Sequence, residues 1–472
     1  MSRESKLAKN TIILSIGTFL PKLASFITLP ILTAYLTQEE YGIYDLITVL
    51  VSLILPATTL QIQTAAFRYL IDVRHDEIKK KKIITNIFAF IIPVSFMTLV
   101  VLYFCLYRVA SNLRVLICIY LFFDMIYNAA GQATRGLEQN LDYSISAIIS
   151  AFGKMVFAII CVWRLGMGLT GATIALCVSD LLASFYLLFK AKIYRYIDIR
   201  LIEWAEIKEM IKYSWPMVPN SMSMWVMRVS DRFVVTLFMG AAANAVYSVA
   251  NKIPSLLTLA QSTFTMAWQE NASIVSKDSD VDTYYSSMFK TMYNLMAGFL
   301  GLLIAATPIL FSVLIRGDYG DAYNQMPILF LAMFFYSMTS YLGGIYVAYK
   351  DTKSVGITTV AAAVCNLVVD FSLIRLIGLY AASGSSLVSY LLLFVYRLLD
   401  IQKIVKVKYK WSHLLSVFCV LVIECVLCFQ RNVVLDCVNL IFSILVFFIL
   451  NKNFVTGLLK QGKKFLNNVK RT

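Results

Sequence analysis

The sequence predicts an all-α polytopic membrane protein with about 14 transmembrane helices, arranged as two similar six-helix lobes followed by two further helices. Of its 472 residues, 59% are hydrophobic and only 15% are charged. The mean hydropathy is +0.74. Apolar runs of about 20 residues, the length that a helix needs to cross a bilayer, recur along the whole chain. The alternating pattern of a transmembrane β-barrel is absent.

The candidate spans begin near the N-terminus and continue almost to the C-terminal tail. The first is too long for the core of a signal peptide and is followed by no small-residue cleavage site, so we expect it to be retained. The spans run roughly over 10–36, 41–67, 83–107, 112–134, 142–163, 168–190, 213–238, 243–271, 285–315, 324–349, 354–376, 378–400, 411–429 and 433–452.

If each candidate span crosses the membrane once, its connections alternate between the two sides of the membrane. Lys and Arg are unevenly divided between these sides. The side that carries both termini has 30 Lys and Arg residues, and the opposite side has 6. Loops rich in Lys and Arg lie in the cytoplasm, so both termini are predicted to be cytoplasmic. The net charge of +15 is then explained by loop charge beside anionic lipid, and no nucleic-acid partner is expected.

The two halves of the chain share sequence patterns. Residues 41–53 resemble residues 244–256, with Tyr44 aligned to Tyr247. Residues 168–181 resemble residues 378–391 in the same order along the chain. Two recurrences at similar separation indicate parallel six-helix repeats, related by an axis along the membrane normal.

Three regions follow from this repeat. An N-terminal lobe covers 1–196, and a C-terminal lobe covers 197–402. Residues 403–472 hold spans thirteen and fourteen and a basic tail. The connection at 190–212 is predicted to contain a short amphipathic helix that joins the lobes.

Six cations fall inside or at the edges of apolar spans, whereas the other 36 Lys and Arg residues are assigned to connections and tails. A cation inside a bilayer is costly and usually faces a water-filled cavity or a charged partner. Many such cations suggest a cavity for an anionic cargo, and pairing with a carboxylate is the structural alternative. The six are Lys22, Lys154, Arg228, Arg232, Lys252 and Lys290.

Span seven carries the densest charge. Met224, Arg228 and Arg232 share one helical face, and Asp231 can pair with Arg228. At least one guanidinium then lacks a partner within the helix, and its planar fork of donors suits phosphate or carboxylate. Arg232 can alternatively extend to the outer membrane surface.

Buried carboxylates are candidates for ion coupling. Asp124, Asp180 and Asp370 lie within spans, where a carboxylate can take up and release a proton. A structural pair with a lysine is the alternative for each. The two histidines, and the absence of nucleophile, phosphate-loop and metal-ligand motifs, predict no catalytic or metal site and no cofactor. Transport would then be passive or driven by a proton or sodium gradient.

Several stretches carry a family resemblance. They are LTAYLTQEEYGIYDLITVL (32–50), KYSWPMVPNSMSMWVMRVSDRFVV (212–235), NAVYSVANKIPSLL (244–257) and FTMAWQENAS (264–273). Through them the chain resembles the Wzx-type lipid-linked oligosaccharide flippases of the MATE-like MOP superfamily. The resemblance covers roughly residues 5–455, and the motif of spans seven and eight is its most specific part.

The resemblance implies two six-helix lobes around a cavity that opens alternately to either side. It implies a cargo of undecaprenyl-pyrophosphate-linked sugar units, moved to the outer leaflet of the bacterial cytoplasmic membrane for capsule, O-antigen or similar polymers. Membrane lipids, a polysaccharide polymerase and a chain-length regulator are the partners it implies. Arg228, Asp231, Arg232 and Lys22 are the site residues carried over from the family pattern.

Other functions stay open at this point. A drug or cation antiporter of the same fold is disfavoured by the interior cations, because its cavity would be acidic or aromatic. A flippase of the peptidoglycan lipid precursor would share the fourteen spans and the basic cavity. A polysaccharide polymerase would need a large outer loop with arginines or histidine, and every predicted outer loop is short. A scaffold role does not explain so polar an interior.

Overall fold

The computed structural model describes residues 3–73, 75–276, 278–349, 351–452 and 455–456, and all regular structure in these ranges is helical. Twelve of the helices described are long and apolar enough to cross a membrane. The predicted all-α, multi-pass membrane architecture is confirmed. The count of fourteen stays a prediction, because the helix of span seven carries three charges within five positions and the first helix of span eight has only 15 residues.

The chain divides into two compact units. One runs to Ala245 and includes Leu314–Gly317, and the other comprises Val246–Val313 and the residues from Asp318 onward. The first unit therefore extends past the predicted lobe boundary at residue 196 and includes span seven. The helices up to Ala245 are α1 (Arg3–Tyr35), α2 (Gln38–Thr59), α3 (Ile62–Asp72), α4 (Glu77–Cys105), α5 (Ser111–Gly136), α6 (Asn140–Ala158), α7 (Gly168–Phe185), α8 (Trp204–Ser214), α9 (Met217–Met239) and the start of α10 (Ala241–Ser255).

The second unit continues α10 and ends with the two C-terminal spans. Its further helices are α11 (Leu257–Val275), α12 (Val281–Leu314), α13 (Gly320–Ala348), α14 (Thr352–Ile377), α15 (Leu379–Asp400), α16 (Trp411–Phe429) and α17 (Val433–Leu450). The longest helices of this unit are α12 and α13, and α13 is largely buried.

The prediction of one unbroken helix over 41–67 is wrong. Leu60 and Gln61 adopt left-handed backbone conformations, with φ of 48° and 58°, and separate α2 from α3. Ser214 donates a hydrogen bond to the Leu60 carbonyl oxygen at 2.8 Å, and the Gln61 amide donates to Ser221 Oγ at 3.1 Å. The Leu60 carbonyl oxygen and the Gln61 side-chain amide therefore both have hydrogen-bond partners at the break. Pro56, one turn earlier, is a helix-breaking signal, but neither Leu60 nor Gln61 is glycine or proline, so the sequence does not predict the left-handed pair.

The internal repeat is visible in the packing within each unit. In the first unit α7 packs against α5 and α6, and in the second α15 packs against α13 and α14. Gly168 and Gly378, aligned by the sequence repeat, lie at the starts of these helices with positive φ, 54° and 57°; Gly168 is the first residue of α7, and Gly378 directly precedes α15. A side chain would be strained at either position. Gly168 also lies against Glu40, whose carboxylate accepts the backbone N–H of Leu169 at 3.2 Å.

The connection between α7 and α9 is less helical than predicted. Two 3₁₀ turns, Ile193–Tyr196 and Ile199–Leu201, precede α8, which begins only at Trp204. The amphipathic helix therefore occupies the second half of the predicted 190–212 segment and extends to Ser214. Its buried Ile207 and Met210 join the apolar core of the first unit.

Candidate substrate-binding site

Lys154 and Asp180 form an ion pair between α6 and α7. The Lys154 Nζ atom lies 2.9 Å from Asp180 Oδ1, and Ser150 Oγ donates to the same oxygen at 2.6 Å. The Asp180 side chain is 0% exposed, while that of Lys154 is 29% exposed. Tyr120 places its ring 5.9 Å from the ammonium, and Asp124 on α5 interacts electrostatically with both members of the pair. Lys154 and Asp180 thus form a partly buried ion pair, and Asp124 is half-buried on the neighbouring helix α5.

Arg232 on α9 is also paired with a carboxylate. Its Nη1 donates to Asp45 Oδ1 on α2 at 2.9 Å, and the two side chains are 16% and 5% exposed. Asn244 donates to Asp45 Oδ2 at 3.4 Å and to the Gly42 carbonyl oxygen at 3.1 Å. Arg232 therefore faces α2, in contrast to the alternative in which it extends to the outer membrane surface.

Arg228 differs from its neighbour one turn away. Its side chain is exposed, and its Nε donates to the Met224 carbonyl oxygen at 3.4 Å. The predicted pairing with Asp231 is not among the ion pairs of the described ranges, and Asp231 is buried. Trp225 and Arg232 both hydrogen-bond to α2, so Arg228, between them on the same side of α9, lies beside that helix. Its guanidinium retains donors for a ligand.

Lys22 is half-buried on α1, a helix that packs against α6. Its backbone carbonyl accepts a hydrogen bond from Ser25 Oγ at 2.8 Å. Its ammonium forms no ion pair within the part of the chain that the structure describes. Lys22 and Arg228 therefore form no ion pair within the described ranges, whereas Lys154 and Arg232 each pair with a carboxylate.

The predicted residues of the second unit lie on different helices. Lys252 is half-buried on α10, and Lys290 is exposed on α12. Asp370 is fully buried on α14, one turn after Asn366, whose amide donates to Ser385 Oγ on α15 at 3.2 Å. These three predicted residues thus lie on α10, α12 and α14.

Arg397 is a buried cation that the sequence analysis assigns to a loop. It lies inside α15 with 4% exposure, which contradicts its placement among the connections. Its guanidinium donates to the hydroxyls of Thr358 and Thr359 at 3.0 Å each and to the carbonyl oxygens of Thr339 and Val355 at 2.9 and 3.2 Å. Its position near a span end, next to apolar residues, is the one signal that the sequence offers.

Glu424 is a second buried charge that the sequence analysis does not single out. It is fully buried in α16, where Oε1 accepts from Ser443 Oγ at 2.6 Å and the backbone carbonyl accepts from Asn439 at 3.1 Å. Its Oε2 has no hydrogen-bond partner and lies against Gly301 of α12. A lone glutamate within the apolar run LVIECVL is a usable signal, because intramembrane carboxylates are rare.

The described residues contain no group of three or more His, Cys, Asp or Glu side chains arranged to hold a metal ion. Cys425 and Cys428, the CxxC of span thirteen, are buried free thiols. Cys428 lies 3.1 Å from the Tyr323 hydroxyl, so it packs as a polar core residue.

Residues 7–269 match the family described as "Polysaccharide biosynthesis protein". The match covers more than half of the chain. The chain belongs to this family. The matched range includes all of the first unit's predicted site residues, together with the span seven motif on which the resemblance is based. No curated protein matches the sequence.

Solved structures show that the fold is that of MOP-superfamily transporters. The lipid II flippase MurJ in an inward closed conformation is 17% identical with a TM-score of 0.72, over 95% of this chain and 100% of that chain. An inward-facing multidrug resistance MATE family transporter is 15% identical with a TM-score of 0.67, over 84% and 98%. A MOP superfamily transporter from Pyrococcus furiosus is 14% identical with a TM-score of 0.57, over 84% and 95%. The predicted MATE-like fold is confirmed.

Two of the six predicted site cations, Lys154 and Arg232, form ion pairs with carboxylates. Each of these two cations has a carboxylate partner on a neighbouring helix, as the structural alternative predicts. Arg228 and Lys22 in the first unit and Lys290 in the second form no ion pair within the described ranges. The role of each of the six cations in substrate binding remains a prediction.

Proposed function

We propose that this member of the family flips undecaprenyl-pyrophosphate-linked oligosaccharide repeat units from the inner to the outer leaflet of the bacterial cytoplasmic membrane. It would work by alternating access, without catalysis, with both termini in the cytoplasm. The product would feed capsule, O-antigen or exopolysaccharide assembly by a polymerase and a chain-length regulator. Membership of the polysaccharide biosynthesis family supports this proposal.

The proposal rests on the exposure and the hydrogen bonding of Arg228. It is an exposed guanidinium on a membrane helix, with only a 3.4 Å bond to a carbonyl oxygen. A charge of this kind is costly in lipid and is stabilised by an anion. A planar fork of donors binds phosphate oxygens in a bidentate manner. A pyrophosphate linker is such an anion, whereas a cationic drug would be repelled.

Energy coupling is proposed for the cluster around Lys154. Asp180 pairs with Lys154, and Asp124 interacts electrostatically with both, so uptake of a proton or sodium ion would change the balance of charge between α5, α6 and α7. Asp231 and Asp370, both buried, are the other coupling candidates. This part of the proposal rests on the contacts of Lys154 with Asp180 and on the electrostatic interaction with Asp124.

A peptidoglycan lipid-precursor flippase is the second candidate. The likeness to MurJ leaves only 5% of this chain unmatched. That share is shorter than α16 and α17 together, which have 19 and 18 residues. The likeness therefore includes part of the two C-terminal helices, while the MATE transporter leaves 16% of this chain unmatched. The larger share of this chain that MurJ matches favours a lipid-linked cargo over a soluble drug.

A liposome assay separates the candidates. The purified chain is reconstituted with a fluorescent undecaprenyl-pyrophosphate oligosaccharide, and the share of label accessible to an added reductant is followed over time. We expect sidedness to change while the length of the glycan stays constant. Lipid II and a cationic dye are run in parallel vesicles. Movement of lipid II alone would establish the second candidate, and a lengthened glycan would overturn the transport proposal.

A further inference from the structure

The connection between α7 and α9 is held in a defined position although it does not cross the membrane. Thr85 on α4 donates to the Tyr196 carbonyl oxygen at 3.1 Å. Asn86, the next residue, donates to the Leu201 carbonyl oxygen at 3.0 Å and accepts the backbone N–H of Glu203 at 2.8 Å. These bonds fix one side of the connection against α4. The opposite side of the connection is left on the surface of the first unit.

Three of the four acidic residues of this connection bond to α3 or α4, and the fourth, the exposed Asp198, accepts the backbone N–H of Arg200 at 3.1 Å. Glu203 and Glu206 both reach the ammonium of Lys82 on α4, at 2.8 and 3.2 Å. Glu209 accepts a hydrogen bond from the Tyr69 hydroxyl of α3 at 3.1 Å. Glu203 and Glu206 therefore pair with a lysine of α4, although Glu203 and Glu209 remain exposed. Within the described ranges, none of the four carboxylates forms an ion pair with a basic residue of the same segment.

The basic residues lie on the outer side. All are exposed, and none forms an ion pair with a carboxylate within the described ranges. Arg195 donates to the Tyr194 hydroxyl at 3.3 Å, and this hydrogen bond raises the pKa of Arg195, so the group remains charged. The basic connecting surface consists of Lys190, Lys192, Arg195, Arg200, Lys208 and Lys212.

Large apolar side chains are exposed among these cations. Ile199 is 79% exposed and Trp204 is 68% exposed, and Ile197 and Ile202 are also exposed. Aqueous exposure of a cluster of this size is unfavourable unless another apolar surface covers it. Tryptophan with basic residues is typical of segments that lie in the membrane–water interface.

We propose that the basic connecting surface lies in the membrane–water interface and binds the head groups of anionic phospholipids. Ile197, Ile199, Ile202 and Trp204 would then enter the boundary between head groups and acyl chains. Charge complementarity identifies the occupant, because the cations form no ion pair with a carboxylate of the described ranges and the adjacent apolar residues need a lipid phase. The contact would hold α8, and through it the start of α9, at a fixed depth. The proposal does not depend on which cargo is moved.

Native mass spectrometry of the full chain tests the binding. The protein is released from nanodiscs of phosphatidylcholine and phosphatidylglycerol, and the retained phosphatidylglycerol is counted. The variant Lys192→Gln/Arg195→Gln/Arg200→Gln removes three cations without acidic partners. The control Lys79→Gln/Lys80→Gln/Lys403→Gln removes the same charge from lysines that pair with Asp76, Glu77 and Asp400. We expect at least about tenfold weaker phosphatidylglycerol retention in the first variant and little change in the control.

Fluorescence tests the depth of the surface independently. Trp204 emission, taken as the difference between the unmodified chain and Trp204→Phe, should be quenched more by brominated phosphatidylglycerol than by brominated phosphatidylcholine. Inorganic phosphate should not reverse that preference. Equal lipid retention in both triple variants, or a Trp204 signal that brominated lipid does not quench, would overturn the proposal. Thermal unfolding of both triple variants verifies that they are folded.

Discussion

The two units stabilise buried positive charge in different ways. In the first unit Lys154 and Arg232 each meet a carboxylate on a neighbouring helix, at 2.9 Å in both cases. In the second unit Arg397 is surrounded by hydroxyls and carbonyl oxygens. In the first unit these cations are thus stabilised by carboxylates, whereas Arg397 of the second unit is stabilised by the dipoles of hydroxyl and carbonyl groups.

The difference is not inherited from the internal repeat. In the register that aligns Gly168 with Gly378, Lys154 and Asp180 correspond to Val364 and Tyr390. Arg397 corresponds in the same register to Leu187 of the first unit, which is fully buried. Helices α7 and α15 pack in corresponding ways within their own units, but they do not carry charges at corresponding positions. The repeat therefore accounts for the fold, and the charges of each half need their own explanation.

The largest expected effect comes from breaking the Lys154–Asp180 pair. Lys154→Met leaves the fully buried Asp180 carboxylate without its cation, and we expect the free energy of unfolding to fall by about 3–5 kcal/mol. The double variant Lys154→Met/Asp180→Leu should recover most of the loss, because no charge is left behind. Unfolding in mixed micelles measures both. A single variant as stable as the unmodified chain would show that the pair does not stabilise the first unit.

Arg397→Met tests the second unit in the same assay. Removal of the guanidinium leaves the hydroxyls of Thr358 and Thr359 without their donor, so we expect a loss of about 2–3 kcal/mol. Arg397→Lys should recover part of it. Lys403→Met, which removes an exposed lysine paired with Asp400, serves as the control and should change stability by less than about 0.5 kcal/mol. Equal losses at the two sites would contradict the account of Arg397.

A smaller effect is expected at the aligned glycines. Gly168→Ala introduces strain at positive φ and a contact with Glu40, and should lower the free energy of unfolding by about 1–3 kcal/mol. Gly166 also has positive φ, 62°, but no atom lies within 4 Å of the position that an alanine Cβ would occupy there. Gly166→Ala is therefore the matched control for strain alone, with an expected loss of about 1 kcal/mol. Identical losses would show that the Glu40 contact contributes nothing.

Much of the fold could be predicted from the sequence, because hydropathy and the positive-charge asymmetry act over whole segments. Lys154, Asp180, Arg228 and Arg232 can be found because charged residues stand out within apolar runs. The partner of each charge could not be predicted, since pairing depends on which helix faces which. Asp45 is one of several polar residues in span two, and only the approach of α9 identifies it as the partner of Arg232.

Other features required the tertiary structure. The break at Leu60–Gln61 has no glycine or proline and is stabilised by Ser214 and Ser221, which lie about 150 residues further along the chain. Arg397 is assigned to a loop by sequence because span ends cannot be placed more closely than about three residues. Glu424 could not be given a role from sequence, because one carboxylate in an apolar span carries no pattern.

The central claim is that Arg228, an exposed cation on α9 that forms no ion pair within the described ranges, recognises the diphosphate of the cargo. The most direct test is the flipping rate of the lipid-linked oligosaccharide in liposomes for Arg228→Ala, beside Arg108→Ala in an exposed turn as the control. We predict at least about a tenfold loss of rate for Arg228→Ala, with an unchanged free energy of unfolding and an unchanged rate for Arg108→Ala. Equal flipping rates for the two variants would contradict the claim.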